Sequence, residues 1–112
     1  MTWMPLDDGT TIGTEGSESG VIVADYEHDL GARITIERDA GTVPFAITCS
    51  IFGWFFHTRF FSTRDEADSE RVAMQTVMET ILQSIPLTSD PDCDAKCSAV
   101  SDAISSFVDT FP

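Results

Sequence analysis

The sequence predicts an α+β domain in which a four-stranded antiparallel sheet, arranged as a β-meander, is followed by two C-terminal amphipathic helices. Three observations support this fold class. Apolar residues alternate with a period of two between residues 21 and 61, two Asp-x-Gly triplets interrupt that region, and from residue 63 the apolar spacing changes to three and four. Strands and helices that are segregated along the chain are typical of α+β folds.

The four strands are expected at residues 21–26, 33–38, 43–51 and 54–61. The triplets Asp29-Leu30-Gly31 and Asp39-Ala40-Gly41 suit hairpin turns that close with glycine in the left-handed region. Phe52-Gly53 could be a turn or a bulge within one long bent strand, and we favour the turn. In the fourth strand, alternation puts large apolar groups on both faces, so we expect something to cover its second face.

Two helices are expected after the strands. Thr63 and Glu66 fit a capping box, and the apolar spacing that follows ends at Pro86. Asp90-Pro91 supplies a capping oxygen and a proline at the first position of a second helix, which should run nearly to the C-terminus. We expect the first helix to cover one sheet face, and the second to cover part of the other face or to bind a partner.

The chain length of 112 residues predicts one domain. Residues 1–20 are expected to form a flexible N-terminal leader, because residues 7–20 are rich in Gly, Thr, Ser and acids and hold little apolar surface to offset the entropy of ordering. The single α+β domain is then expected over residues 21–112.

The formal charge of −13 argues against nucleic acid and anionic membrane surfaces as partners, since phosphates bind mainly through Lys and Arg. No stretch approaches the roughly 20 apolar residues that span a bilayer, and the N-terminus lacks the pattern of a signal peptide. Three cysteines without framework spacing suit a reducing compartment. We therefore expect a cytoplasmic protein.

Tyr26, His57 and Arg59 are the candidate ligand-binding residues. His57 and Arg59 share one strand face, where an imidazole that titrates near neutral pH and a guanidinium could hold a small acidic ligand. The alternative interpretation is a buried or interfacial salt bridge.

No catalytic residue, metal site or cofactor is predicted. Cys49 and His57 are the one pair considered for nucleophilic chemistry, but alternation places Cys49 in the core. Asp90, Asp92 and Asp94 resemble the start of a calcium loop without its glycine and closing glutamate. Cys93 and Cys97 supply only two of the ligands that zinc requires.

Composition and patterning favour a small acidic protein–protein interaction or regulatory module, homodimeric and without catalytic activity. The side chains expected at its interface are Phe55, Phe61, Phe107 and Phe111. One alternative is an inhibitor or immunity-type protein whose acidic surface attracts a basic partner. Another is a small-ligand-binding or enzymatic domain with a pocket around His57 and Arg59.

Overall fold

The computed structural model describes residues 3–112 and is an α+β fold with a single antiparallel sheet. The sheet has five strands in the order β1-β2-β3-β4-β5, followed by two helices that pack on it. The elements are β1 (Trp3–Pro5), β2 (Val21–His28), β3 (Ala32–Ala40), β4 (Val43–Ile51), β5 (Phe55–Phe61), α1 (Arg64–Ser84) and α2 (Cys93–Thr110). The predicted class is confirmed, and the predicted count of four strands is wrong by one.

The additional strand is β1, which lies in the segment that the sequence assigned to a leader. It pairs antiparallel with the end of β2, where Trp3 is opposite His28 and Pro5 is opposite Tyr26. A strand of three residues is too short to show a period of two, so the sequence carried no signal for it.

Local turn chemistry connects the long strands. Gly31 has φ of 103°, and its N–H donates to the carbonyl of His28 at 2.9 Å to close the turn between β2 and β3. Gly53 has φ of 79° and allows the chain to reverse between β4 and β5. The turn at Phe52-Gly53 is therefore the correct alternative, and no bulge bends one long strand there.

The helix ends follow the capping rules only in part. Thr63 caps α1, with its hydroxyl oxygen accepting from the N–H of Glu66 at 3.2 Å, as predicted. The start of α2 differs from the prediction, since the helix begins at Cys93 and not at Pro91. The carboxylate of Asp90 instead accepts from the N–H of Asp92 at 2.8 Å, which forms a local turn that delays the helix by two residues.

Both helices pack on the same face of the sheet, whereas we expected the second helix to cover part of the other face or to bind a partner. Arg59 and Phe55 point to one side of β5; Arg59 reaches Met74 of α1, and the ring of Phe55 meets that of Phe107 of α2 edge-on at 5.4 Å. The core lies in this layer. Its fully buried members include Ile34, Ile36, Ile47, Met74, Met78, Val100 and Phe107.

Residues 16–20 contact the opposite face of the sheet at Glu37, while residues 13–15 pair through their backbone with the start of β2. The side chain of Glu37 is buried there, and its carboxylate accepts from the backbone N–H of Gly20 at 3.0 Å and of Glu18 at 3.2 Å. Gly16 lies so close that a Cβ atom would collide with the carboxyl group of Glu37. Flexibility of residues 1–20 and the domain boundary at residue 21 stay predictions, and residues 1 and 2 lie outside the described residues.

Candidate functional site

The distribution of charge singles out one part of the molecule. All 19 acidic residues lie outside residues 40–64, the segment that contains β4 and β5. The charges within it are those of Arg59, Arg64 and, when protonated, His57. In a chain with a formal charge of −13, this hairpin contributes no acidic side chain of its own, although Asp65, Glu66 and Glu70 of α1 lie beside Arg59 and Phe61 on its helix side.

The same hairpin exposes phenylalanine side chains on the face opposite the helices. Phe56 and Phe60 of β5 are 65% and 55% exposed, and Phe52 in the preceding turn is 88% exposed. Because side chains alternate along a strand, Phe55 and Phe61 turn instead towards the helices. We call Phe52, Phe56, Phe60 and the outer backbone edge of β5 the aromatic edge.

β5 is the last strand of the sheet, so its outer backbone has no strand neighbour within residues 3–112. Natural edge strands are commonly protected by proline, by a bulge or by an outward-pointing charge. β5 contains no proline, and it pairs with β4 without a register shift. Its single charged residue, Arg59, turns to the helix side and forms an ion pair with Glu70 at 2.9 Å. The aromatic edge is thus open to strand pairing.

The predicted ligand-binding residues do not come together. Tyr26 and His57 lie in one row across the sheet, separated by Ile34 and Cys49. Three strand spacings amount to about 14 Å. The structure therefore does not place Tyr26 in a shared pocket with the other two residues.

Each predicted ligand-binding side chain has a partner within the chain. The ring of Tyr26 lies under the guanidinium of Arg71 at 4.8 Å. Nε2 of His57 donates to the main-chain oxygen of Phe111 at 2.6 Å, and Nε of Arg59 donates to that of Pro112 at 3.3 Å. These contacts tie the end of α2 to β5. A ligand pocket around His57 and Arg59 stays a prediction.

The predicted interface residues pack mainly inside the chain. Phe107 and Phe111 are buried, and their rings lie 4.9 Å apart. Phe55 and Phe61 are half-buried against the core. The sequence analysis did not single out Phe56 and Phe60. The absence of acidic residues from residues 40–64 was the signal that could have drawn attention to the segment that contains them.

Cys49 of β4 lies directly opposite His57 of β5, so the sheet brings together the pair considered for nucleophilic chemistry. Burial raises the pKa of the Cys49 thiol to about 12, so it stays protonated at neutral pH. Cys93 and Cys97 have Sγ atoms 3.7 Å apart, and this thiol–thiol contact raises the pKa of Cys93. Within residues 3–112, no group of three or more His, Cys, Asp or Glu side chains is placed to hold a metal ion.

A cavity of about 730 Å³ lies away from these residues, between the end of α1 and the middle of α2. Its lining includes Ile81, Ile85, Leu87 and Ala103, with Lys96 at one side. Lys96 is already paired with Asp90 at 2.6 Å, and this hydrogen bond lowers the pKa of the Asp90 carboxyl. Thr80, Gln83 and Ser84 also line the cavity, and the hydroxyls of Thr80 and Ser84 donate to main-chain oxygens of α1.

None of the helices among residues 3–112 combines the length and the apolar character needed to cross a membrane. Comparison with protein-family models, curated proteins and solved structures finds no match to this chain.

Proposed function

We propose that this chain is a protein-interaction module that forms a homodimer through the aromatic edge. The observation that carries the proposal is the coincidence of three properties on β5: an open strand edge, exposed phenylalanine rings and the absence of acidic residues. Exposed apolar patches on soluble proteins commonly mark contacts with other proteins. A second copy of the chain is the occupant that suits all three properties.

Charge favours association at this edge over any other surface. Two copies carry −13 each, so contact through surfaces rich in aspartate and glutamate would be opposed by like charge. The segment from residue 40 to residue 64 lacks acidic side chains, and Arg59 within it is neutralised by Glu70. On the helix side of β5, Asp65, Glu66 and Glu70 lie beside Arg59 and Phe61, so the reduced repulsion applies to the opposite face, which carries Phe56 and Phe60.

The exposed rings predict a modest affinity. A phenylalanine side chain carries roughly 200 Å², so exposures of 65% and 55% leave about 240 Å² on Phe56 and Phe60 of each copy. Covering about half of this on both copies contributes about 6 kcal/mol at 25 cal/mol per Å². Hydrogen bonds along the strand add to that term, while association costs about 4–15 kcal/mol. We expect a dissociation constant in the micromolar range.

Sedimentation velocity at protein concentrations from about 5 to about 200 μM covers the micromolar dissociation constant that we expect. The wild-type chain should change from monomer to dimer over that range. Phe56→Asp should weaken dimerisation at least about tenfold, because it places a carboxylate in the contact. Val72→Asp is the matched control, since Val72 is 54% exposed on α1, away from β5.

Two results would overturn the proposal. One is a wild-type chain that remains monomeric at the highest concentration. The other is an equal effect of Phe56→Asp and Val72→Asp, with circular dichroism confirming that both variants are folded. Either result would mean that the chain does not form a dimer through the aromatic edge.

Salt dependence separates the homodimer from an inhibitor that binds a basic partner. Raising the salt from about 0.1 M to about 1 M shortens the Debye length from about 10 Å to about 3 Å. Repulsion between two acidic copies weakens under these conditions, so the homodimer should become tighter. Attraction to a basic partner would weaken instead.

A further inference from the structure

We infer that the two copies join edge to edge, with β5 antiparallel to β5 of the partner copy and a two-fold axis at Thr58. This inference rests on the proposed homodimer and specifies its geometry. The sheets of the two copies would become one continuous sheet, with the helices of both copies on the same side.

Symmetry restricts the possible registers. In an antiparallel pair of identical strands related by a two-fold axis, one residue must lie opposite its own copy. Thr58 is the central residue of β5, which spans Phe55–Phe61. An axis at Thr58 therefore pairs the whole strand, whereas an axis at any other residue leaves part of β5 without a partner.

Charge supports the same register. An axis at Arg59 would place two guanidinium groups directly opposite each other, and like charges in that position are destabilising. An axis at His57 would place two imidazoles together and would put Phe56 opposite Thr58. With the axis at Thr58, His57 of one copy lies opposite Arg59 of the other, so the two arginines are not opposite each other.

The apolar side chains are also complementary in this register. On the open face, Phe56 lies opposite Phe60 of the partner copy, and the pair is repeated on the other side of the axis. On the helix side, Phe55 lies opposite Phe61 of the partner copy. Aromatic cross-strand pairs of this kind stabilise antiparallel sheets. The register thus brings both exposed rings of each copy, Phe56 and Phe60, into contact with the partner.

Thr58 is suitable for a direct test by disulfide cross-linking. Its side chain points to the open face, where its hydroxyl lies 3.4 Å from that of Thr48 of the neighbouring strand. Residues opposite each other in antiparallel strands have Cα atoms about 4.5–5.5 Å apart, within the range that a disulfide can bridge. Thr58→Cys in a background of Cys93→Ser and Cys97→Ser should therefore form a covalent dimer with diamide, which takes up two electrons and two protons as the bond forms.

Ser62→Cys in the same background is the matched control. Ser62 is exposed just beyond β5, so the substitution leaves all the phenylalanines in place. With the axis at Thr58, residue 62 lies about 26 Å along the strand from its copy, out of reach of a disulfide. We expect Thr58→Cys to cross-link at least about tenfold faster than Ser62→Cys, since only its thiols are held within bonding reach.

The outcomes distinguish this inference from the proposed function. Cross-linking is measured at a concentration where sedimentation shows that both variants are dimeric. Equal rates for the two variants, or faster cross-linking of Ser62→Cys, would overturn the register while leaving the homodimer in place. A monomer in sedimentation would overturn both.

Discussion

Replacing Glu37 with glutamine tests how the N-terminal segment, residues 6–20, is held on the sheet. The Glu37 side chain is 1% exposed and accepts backbone N–H groups from Gly20 and Glu18 at 3.0 and 3.2 Å. A glutamine keeps the shape of the side chain but turns one acceptor into a donor. Both N–H groups reach the same oxygen, Oε1, and the N–H of Glu18 also reaches Oε2 at 3.3 Å, so a glutamine with its oxygen at the Oε1 position keeps both bonds but turns its amide N–H toward the N–H of Glu18.

The expected cost follows from these two hydrogen bonds. Hydrogen bonds to a charged acceptor contribute about 1.5–3 kcal/mol each and those to a neutral acceptor about 0.5–1.5 kcal/mol, so replacing the carboxylate with an amide oxygen weakens each bond by about 1 kcal/mol. We therefore expect Glu37→Gln to lower the free energy of unfolding by about 2 kcal/mol. For a chain of this size, this corresponds to a fall in melting temperature of roughly 8 °C.

Urea unfolding followed by circular dichroism measures this loss, and amide hydrogen exchange shows where it arises. The N–H groups of Glu18 and Gly20 should exchange faster in the variant, while those of the central strand around Ile36 should change much less. Glu15→Gln is the matched control. It removes the same charge, and Glu15 belongs to residues 6–20 themselves, but Glu15 is exposed and its side chain makes no hydrogen bond in the described part of the chain.

A loss no larger for Glu37→Gln than for Glu15→Gln would refute the reasoning. It would mean that the two backbone N–H groups find equivalent partners without the carboxylate. Faster exchange spread evenly over the sheet would also contradict it, because the contact would then not be specific to residues 6–20.

Two further predictions concern other buried groups. Arg33→Met should lower the free energy of unfolding by about 3 kcal/mol in a urea titration, because it leaves the buried carboxylate of Asp25 without the cation that now binds it at 2.7 and 3.0 Å. Arg38→Met is the control, since Arg38 pairs with Asp39 at the exposed surface. It should change the free energy of unfolding by less than about 0.5 kcal/mol. Burial raises the pKa of Cys49 from its ordinary value of about 9 to about 12 in the folded chain, so folding retains a proton that the unfolded thiol loses above about pH 9. The free energy of unfolding should therefore fall by about 1.4 kcal/mol per pH unit between pH 9 and 12. Thermal unfolding of Cys49→Ala should lack this contribution to the pH dependence. An identical alkaline loss of stability in both proteins would contradict the assignment to Cys49.

Local physical rules explain which parts of the fold could be predicted. Turns at Gly31 and Gly53, the cap at Thr63 and the helix end before Pro86 depend on residues within a few positions of one another. The same rules misplaced the start of α2. There, the Asp90 carboxylate could serve either as a helix cap or in a local turn, and it serves in the turn.

The amino-acid sequence by itself determined the fold class, the long strands and helices, and the concentration of acidic residues outside residues 40–64. It could not determine which face of the sheet the helices cover. β5 carries phenylalanines on both faces, and an alternating pattern separates the two faces without indicating which of them is buried. Only the tertiary structure decided this, by packing Phe107 of α2 against Phe55. That contact leaves Phe56 and Phe60 exposed at the open edge, since side chains adjacent along a strand must point to opposite sides.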